Sequence, residues 1–282
     1  MKLGFYTYSY VDRLKMDVEP VLQAVSDAGY LGIDISATWH DDLDPARMPP
    51  EARDRYVRTA ARLGLEIEAV VTHLGLVQSL RQGLPLNLEG AIDVARDVGA
   101  AIVTFHIGEP TEQPADDWRA AVEYLREACD YAGKHGKRIA LDGVWAPSLI
   151  PTPEAALRLA ADVGSPQFGH NYDPCYLAVS GIDLAAATPP LLPQAVHVHV
   201  KDHVGLLPKF EHRIPGDGVL DHASYLRMLR DGGYRRYVVN ECFIDAPLER
   251  ACTLGMQTLA AAMQSCSVRG FRRAIENDPQ GP

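Results

Sequence analysis

The chain has 282 residues, enough for one barrel of about 250 residues and a tail. Its 37 acidic residues outnumber 27 basic ones for a formal net charge of −10, which disfavours a nucleic-acid partner, and the nearest basic grouping (Arg269, Arg272, Arg273) reads as a solvated or interface-lining face. Five cysteines, an odd number without C-x-x-C spacing, argue against a disulfide framework or a zinc ribbon.

Strand-like and helix-like segments then alternate along the chain. A first strand over Lys2–Tyr8 precedes a helix over Val18–Ala28, with Gly29 as its stop. The second strand, Gly32–Ser36, leads to a helix near Pro50–Leu63 that Gly64 ends. Strand three (Glu66–Thr72) pairs with a helix at Leu88–Val98, and strand four (Ala101–His106) with the longest helix, Ala115–His135. Strand five, Arg138–Asp142, is followed by a helix over Thr152–Val163 that Thr152 caps. Strand six is Phe168–Tyr172, and a weak, Pro-interrupted helix covers Leu184–Leu192. Strand seven (Ala195–Lys201), a helix at Ala223–Asp231, strand eight (Tyr237–Glu241) and a helix over Leu248–Met263 complete the series.

Eight strand–helix pairs with short connections predict a (β/α)8 TIM barrel as one domain over residues 1–268, with 269–282 as a C-terminal extension. Continuous apolar runs such as Ala69-Val70-Val71 suit strands buried on both faces. The rival, an open doubly wound sheet, lacks its usual G-x-G-x-x-G turn after strand one. No apolar run reaches the ~18 residues of a membrane span, and the chain enters its first strand without a signal-peptide pattern. A cytoplasmic protein without membrane contact is therefore the expectation.

Four successive strands end on a ligand-type residue: Asp142, Asp173, His199 and Glu241. The C-terminal ends of barrel strands meet around one mouth, so these four converge there. Three carboxylates and an imidazole suit one divalent ion, Mn²⁺ first, with Mg²⁺, Co²⁺ or Zn²⁺ as alternatives. In Val196-His197-Val198-His199-Val200-Lys201, period-two alternation puts His197, His199 and Lys201 on one face. His199 is the expected ligand, and His197, one layer deeper, would orient a ligand carboxylate. Around the mouth, His73 and His106 end strands three and four and either contact substrate hydroxyls or cap their strands. Trp39 and Trp145 either wall the pocket or pack against loops, and Tyr6 is placed near the pocket as well. Arg213 is either a clamp on a substrate oxygen or an exposed loop arginine. Lys201 either faces a developing oxyanion or pairs with Asp202 or Glu241. Cys175 and Cys242, each beside a proposed ligand, read as small core residues rather than nucleophiles.

The run His-Val-His-Val-Lys-Asp, the segment Pro215-Gly216-Asp217-Gly218-Val219-Leu220-Asp221 and the strand ending in Glu241 resemble the xylose isomerase-like sugar isomerase/epimerase superfamily. Ala28 through Asp34 is similar to that family's early GY-x-GIE segment. The resemblance implies a TIM barrel holding one divalent metal through Asp142, Asp173, His199 and Glu241, and a tendency to form homo-oligomers. Two positions depart from the pattern: Asp142 stands where the family usually has Glu, and Tyr176 stands where it often has His. In the family's epimerases the strand-five Glu also moves a proton, so Asp142 is a catalytic candidate beside Glu241 and Lys201.

The function expected is isomerisation or epimerisation of a small polyhydroxy ketone or sugar through an enediolate, with Glu241 as base and Tyr176 among the substrate contacts. The alternatives are dehydration of a keto-cyclitol or related compound through the same intermediate, and a barrel that binds sugar with reduced activity.

Overall fold

Eight parallel strands close on themselves in a computed structural model that describes residues 1–38, 44–84, 87–242 and 246–276, with the backbone alone for Leu74 and 266–276. The strands are β1 (Lys2–Tyr6), β2 (Gly32–Ser36), β3 (Glu66–Gly75), β4 (Ile102–His106), β5 (Arg138–Asp142), β6 (Phe168–Tyr172), β7 (Ala195–Val200) and β10 (Tyr237–Asn240). Each pairs with its neighbour in chain order, and β10 returns to β1 with Lys2 opposite Tyr237 and Phe5 opposite Asn240. An antiparallel hairpin, β8 (Asp202–Leu206) and β9 (Lys209–Arg213), rises from the end of β7. The chain is thus a (β/α)8 barrel, as its sequence predicts.

Ten helices accompany the strands among the described residues: α1 (Val18–Asp27), α2 (Pro50–Leu63), α3 (Leu76–Gln82), α4 (Leu88–Val98), α5 (Pro114–Lys134), α6 (Pro153–Val163), α7 (Pro174–Val179), α8 (Leu184–Leu191), α9 (His222–Asp231) and α10 (Leu248–Glu276). Their buried faces meet the outward residues of the strands in one continuous core that includes Phe5, Ile33, Val103, Phe105 and Leu141. Inside the barrel, smaller apolar groups (Ala69, Ile102, Ala140 and Val196; Tyr6, Val71, Tyr237 and Val239) fill the floor and one wall. No helix among the described residues is long and apolar enough to cross a membrane.

Local chemistry explains most boundaries. Gly64 ends α2 in the left-handed region (φ 69°), where a side chain would be strained. Thr152 Oγ1 accepts from the Ala155 N–H at 3.2 Å, the cap its sequence position foretells. Other boundaries differ from expectation. The first strand stops at Tyr6, because Ser9–Arg13 coils into a short π-helical turn, and strand three runs on to Gly75. The backbone of α10 continues past Met263 to Glu276.

Candidate metal centre

Asp142, His199 and Glu241 meet inside the barrel mouth, all but fully buried. Asp142 is the last residue of β5, His199 lies on β7, and Glu241 directly follows β10. His199 Nδ1 stands 3.6 Å from Asp142 Oδ2 and 3.4 Å from Glu241 Oε1. Neither Nδ1 nor either oxygen of Asp142 has a hydrogen-bond partner among the described residues. A buried carboxylate with no donor is costly and marks an ion or ligand site. Donors ~2.1 Å from one ion, at the angles of tetrahedral or octahedral coordination, sit about 3.0–3.4 Å apart, so the three groups fit a shared cation.

Asp34 orients the imidazole. Both His199 Nε2 and His197 Nε2 bond its Oδ2, at 2.8 and 2.6 Å, and its Oδ1 accepts the Ala69 N–H at 3.1 Å. Burial alone would push the Asp34 carboxyl up, but the two imidazoles override it and hold it below its ordinary range. An ionised Asp34 takes the Nε2 proton of His199 in a hydrogen bond and leaves Nδ1 as the group aimed at Asp142 and Glu241. His197 therefore does not orient a ligand carboxylate, as its position on β7 suggests. It shares with His199 a buried acid from β2. Asp34 was legible only as part of a family-like segment. Its inward position between Ile33 and Ile35 was the available signal.

Lys201 is buried between Asp173 and Glu241, donating to Asp173 Oδ2 at 2.5 Å and to Glu241 Oε2. It pairs with Glu241 as one sequence reading had it, and with Asp173 rather than Asp202. Burial would raise Glu241, yet Lys201 and His199 hold its carboxyl far below the ordinary range. For Asp173 burial prevails and its pKa is raised, the lysine offsetting only part. Asp173 Oδ1 also caps α7, accepting the N–H groups of Cys175 at 2.8 Å and Tyr176 at 3.4 Å. Both its oxygens are thus engaged, which sets Asp173 apart from the Asp142–His199–Glu241 trio.

Asp202 does a different job. Its carboxylate accepts from the N–H groups of His203, Gly216 and Leu220 and from His222, and these donors hold its pKa at about 2 against the upward push of burial. It thereby ties the hairpin to the Pro215–Asp221 segment. A Cβ on Gly218 would lie 2.2 Å from Asp202 Oδ1, so only glycine lets that loop approach. Asp202 and the Pro-Gly-Asp-Gly motif thus brace the chain just after Lys201.

The other expected residues spread around the rim. His106 Nε2 is 3.8 Å from Asp142 Oδ2. His73 Nε2 and the Tyr6 hydroxyl share a 2.7 Å hydrogen bond, and burial followed by the nearby His106 pushes His73 down to about 3, so it is neutral at pH 7. Trp145 stacks on Tyr176 at 5.7 Å, and the Lys201 ammonium lies 4.1 Å from the Tyr176 ring centre. Burial pushes the Tyr176 phenol far up, so it stays protonated. Arg213 is half-buried on strand β9, not in a loop, and pairs with Glu211 at 2.5 Å. His212, unremarked in the sequence, stands beside Cys175 and edge-on to Tyr176. The Cys175 and Cys242 thiols are buried and pushed up by that burial to well above neutrality. Trp39 lies outside the described residues.

A family model described as xylose isomerase-like TIM barrel matches residues 22–262. A search of the curated proteins finds no match. Among solved structures, L-ribulose 3-epimerase is 17% identical with a TM-score of 0.77, covering 100% of this chain and 99% of that one. The probable 3-DHS dehydratase AsbF of Bacillus anthracis is 18% identical at a TM-score of 0.75, covering 92% and 99%. The IOLI protein, solved with a bound zinc atom, is 18% identical at 0.73, covering 95% and 99%. At such identities these likenesses speak for the fold.

Proposed function

The chain belongs to the xylose isomerase-like TIM barrel family, and from that premise we propose a divalent-metal-dependent isomerase or epimerase of a sugar or polyol ketone, with Glu241 as the proton-transfer base. The observation that carries this reading is the buried trio of Asp142, His199 and Glu241, in which both Asp142 oxygens and His199 Nδ1 have no hydrogen-bond partner among the described residues. Asp173 joins the set only on releasing Lys201. A divalent ion, Mn²⁺ by the donor chemistry with Mg²⁺, Co²⁺ or Zn²⁺ as alternatives, supplies Lewis acidity toward a carbonyl and its neighbouring hydroxyl.

The side chains provide the rest. Glu241, held ionised by Lys201 and His199, is ready to take a proton from the carbon beside the carbonyl. Lys201 offers positive charge to the oxyanion that develops. Trp145 and Tyr176 form an aromatic wall against which the polyol lies. Asp142, one methylene shorter than a glutamate, serves as ligand, and its reach as a second base is reduced.

Dehydration is the second reading. It would use Tyr176 and Lys201, whose ammonium lies 4.1 Å from the Tyr176 ring centre, as the proton-bearing groups that a departing β-hydroxyl meets. The three neighbours named above include both an epimerase and a probable dehydratase.

The test is metal-loaded protein in D2O with a panel of ketoses, aldoses and keto-cyclitols, followed by NMR. Deuterium should enter the carbon beside the carbonyl, and Glu241→Gln should slow that entry by ~100-fold or more. Full activity in the variant defeats the base assignment. Sugar binding without any exchange leaves a barrel that binds and does not turn over.

A further inference from the structure

A cavity of about 310 Å³ opens beside the trio, lined by Gln78, His106, Glu109, Asp142, Trp145 and Tyr176 among others. It lies over the tips of β4, β5 and β6, and β5 stands diametrically across the barrel from β1. Its polar groups have one character. Gln78 Oε1 is buried with no hydrogen-bond partner among the described residues, while Gln78 Nε2 donates to the Glu109 carbonyl at 3.3 Å. That holds the amide with its oxygen unpartnered against Gly75 and Gly108. A Cβ on Gly75 or Gly108 would fall within 2.2 Å of Gln78 Oε1, so the two glycines make room for it. Glu109, an exposed residue, lines the cavity as well.

Lysine and arginine are scarce on this side among the described residues. The segments after β4 (107–113), β5 (143–152) and β6 (173–183) contain no Lys or Arg, but do contain Glu109, Glu112, Asp173 and Asp183. Arg81, on α3, is bound to Asp117 at 2.7 Å. Lys201 is held between two carboxylates. Arg213 is paired with Glu211 on the hairpin. Four buried carboxylates (Asp34, Asp142, Asp173, Glu241) gather in the centre, two of them on Lys201, so a divalent ion would leave it no positive surplus for an anionic substituent.

We infer, resting on the function proposed above, that the substrate is an uncharged polyol ketone rather than a phosphate ester or a carboxylate, and that Gln78 and Glu109 set this preference. Gln78 Oε1 and the Glu109 carboxylate are acceptors, which suit hydroxyl donors. A phosphate in the cavity meets Glu109 with no guanidinium or ammonium to fork it.

The test is calorimetric binding of xylitol and of its terminal phosphate ester to the metal-loaded protein, as wild type, Glu109→Gln and Gln78→Leu. Xylitol should bind on the order of 100-fold more tightly than the ester, because apposed like charges are strongly unfavourable. Glu109→Gln should narrow that gap about tenfold, and Gln78→Leu should weaken xylitol about fivefold by loss of a hydrogen bond. Equal or tighter binding of the ester, or no binding of either probe, overturns the inference. An unchanged gap in Glu109→Gln removes the role of that residue. The two readings fail separately: a charge preference without deuterium exchange sinks the catalytic proposal alone, and exchange that is faster with a ketose phosphate sinks the substrate class alone.

Discussion

Replacing Asp34 with asparagine tests the part of the centre that lies beneath the ligands. Asp34 touches no proposed donor atom, yet its carboxylate accepts from His197, His199 and the Ala69 N–H. An asparagine with its oxygen toward Ala69 turns an NH2 toward two imidazole N–H groups. Flipped, it turns that NH2 toward the backbone N–H instead. Either way a buried donor loses its acceptor, which costs about 1–3 kcal/mol of stability. The imidazole also loses the charge that fixes its tautomer and strengthens Nδ1, a change typically worth 10- to 100-fold in metal affinity, or about 1.4–2.8 kcal/mol. Affinity is measured by competition against a chelating dye, with circular dichroism and a thermal melt to establish folding. A folded Asp34→Asn protein whose affinity stays within twofold of wild type refutes the reasoning.

Three further outcomes follow from the same groups. Burial would lower the His199 pKa, but Glu241, Asp142 and Asp34 together hold it well above its ordinary value; metal loading near neutral pH should therefore release about one proton, and calorimetry in buffers of different ionisation enthalpy should show it. Lys201→Met leaves Asp173 and Glu241 facing each other without a cation, so the metal-free variant should lose about 3–5 kcal/mol and recover more melting temperature on metal addition than wild type does. His170, buried with neither ring nitrogen hydrogen-bonded among the described residues, is pushed down to about 4 by that burial. Below pH 6.5 the unfolded chain takes a proton that the folded one refuses, so stability is lost as pH falls from about 6.5 to 4, by about 3 kcal/mol in all. His170→Leu should flatten that slope in denaturant titrations, and an unchanged slope contradicts it.

The barrel could be read because its strands are apolar runs, four of which lead to a ligand-type residue, and period-two alternation then told inward from outward positions on β7. His199 and Lys201 were placed on one face by that rule, and Thr152 and Gly64 by the chemistry of helix ends. What stayed hidden depends on contacts between distant segments. Asp34 meets His197 across 163 residues, and nothing local signals that partner. The short helix α7 has six residues, too few to show a periodicity, so the second duty of Asp173 as its cap was invisible. The β8–β9 hairpin turns at Leu207-Pro208 between exposed, weakly alternating residues, which read as coil. Asp202 looked like a partner for Lys201 because the two are adjacent in sequence. In the fold its carboxylate turns instead to the loop that holds the hairpin in place.

The most direct test of the metal centre is anomalous diffraction from a crystal grown or soaked with Mn²⁺. A single strong peak within about 2.0–2.3 Å of Asp142, His199 Nδ1 and Glu241 is the expected result. A barrel mouth without a peak at saturating Mn²⁺, or a peak held by Asp34 and His197 instead, contradicts it.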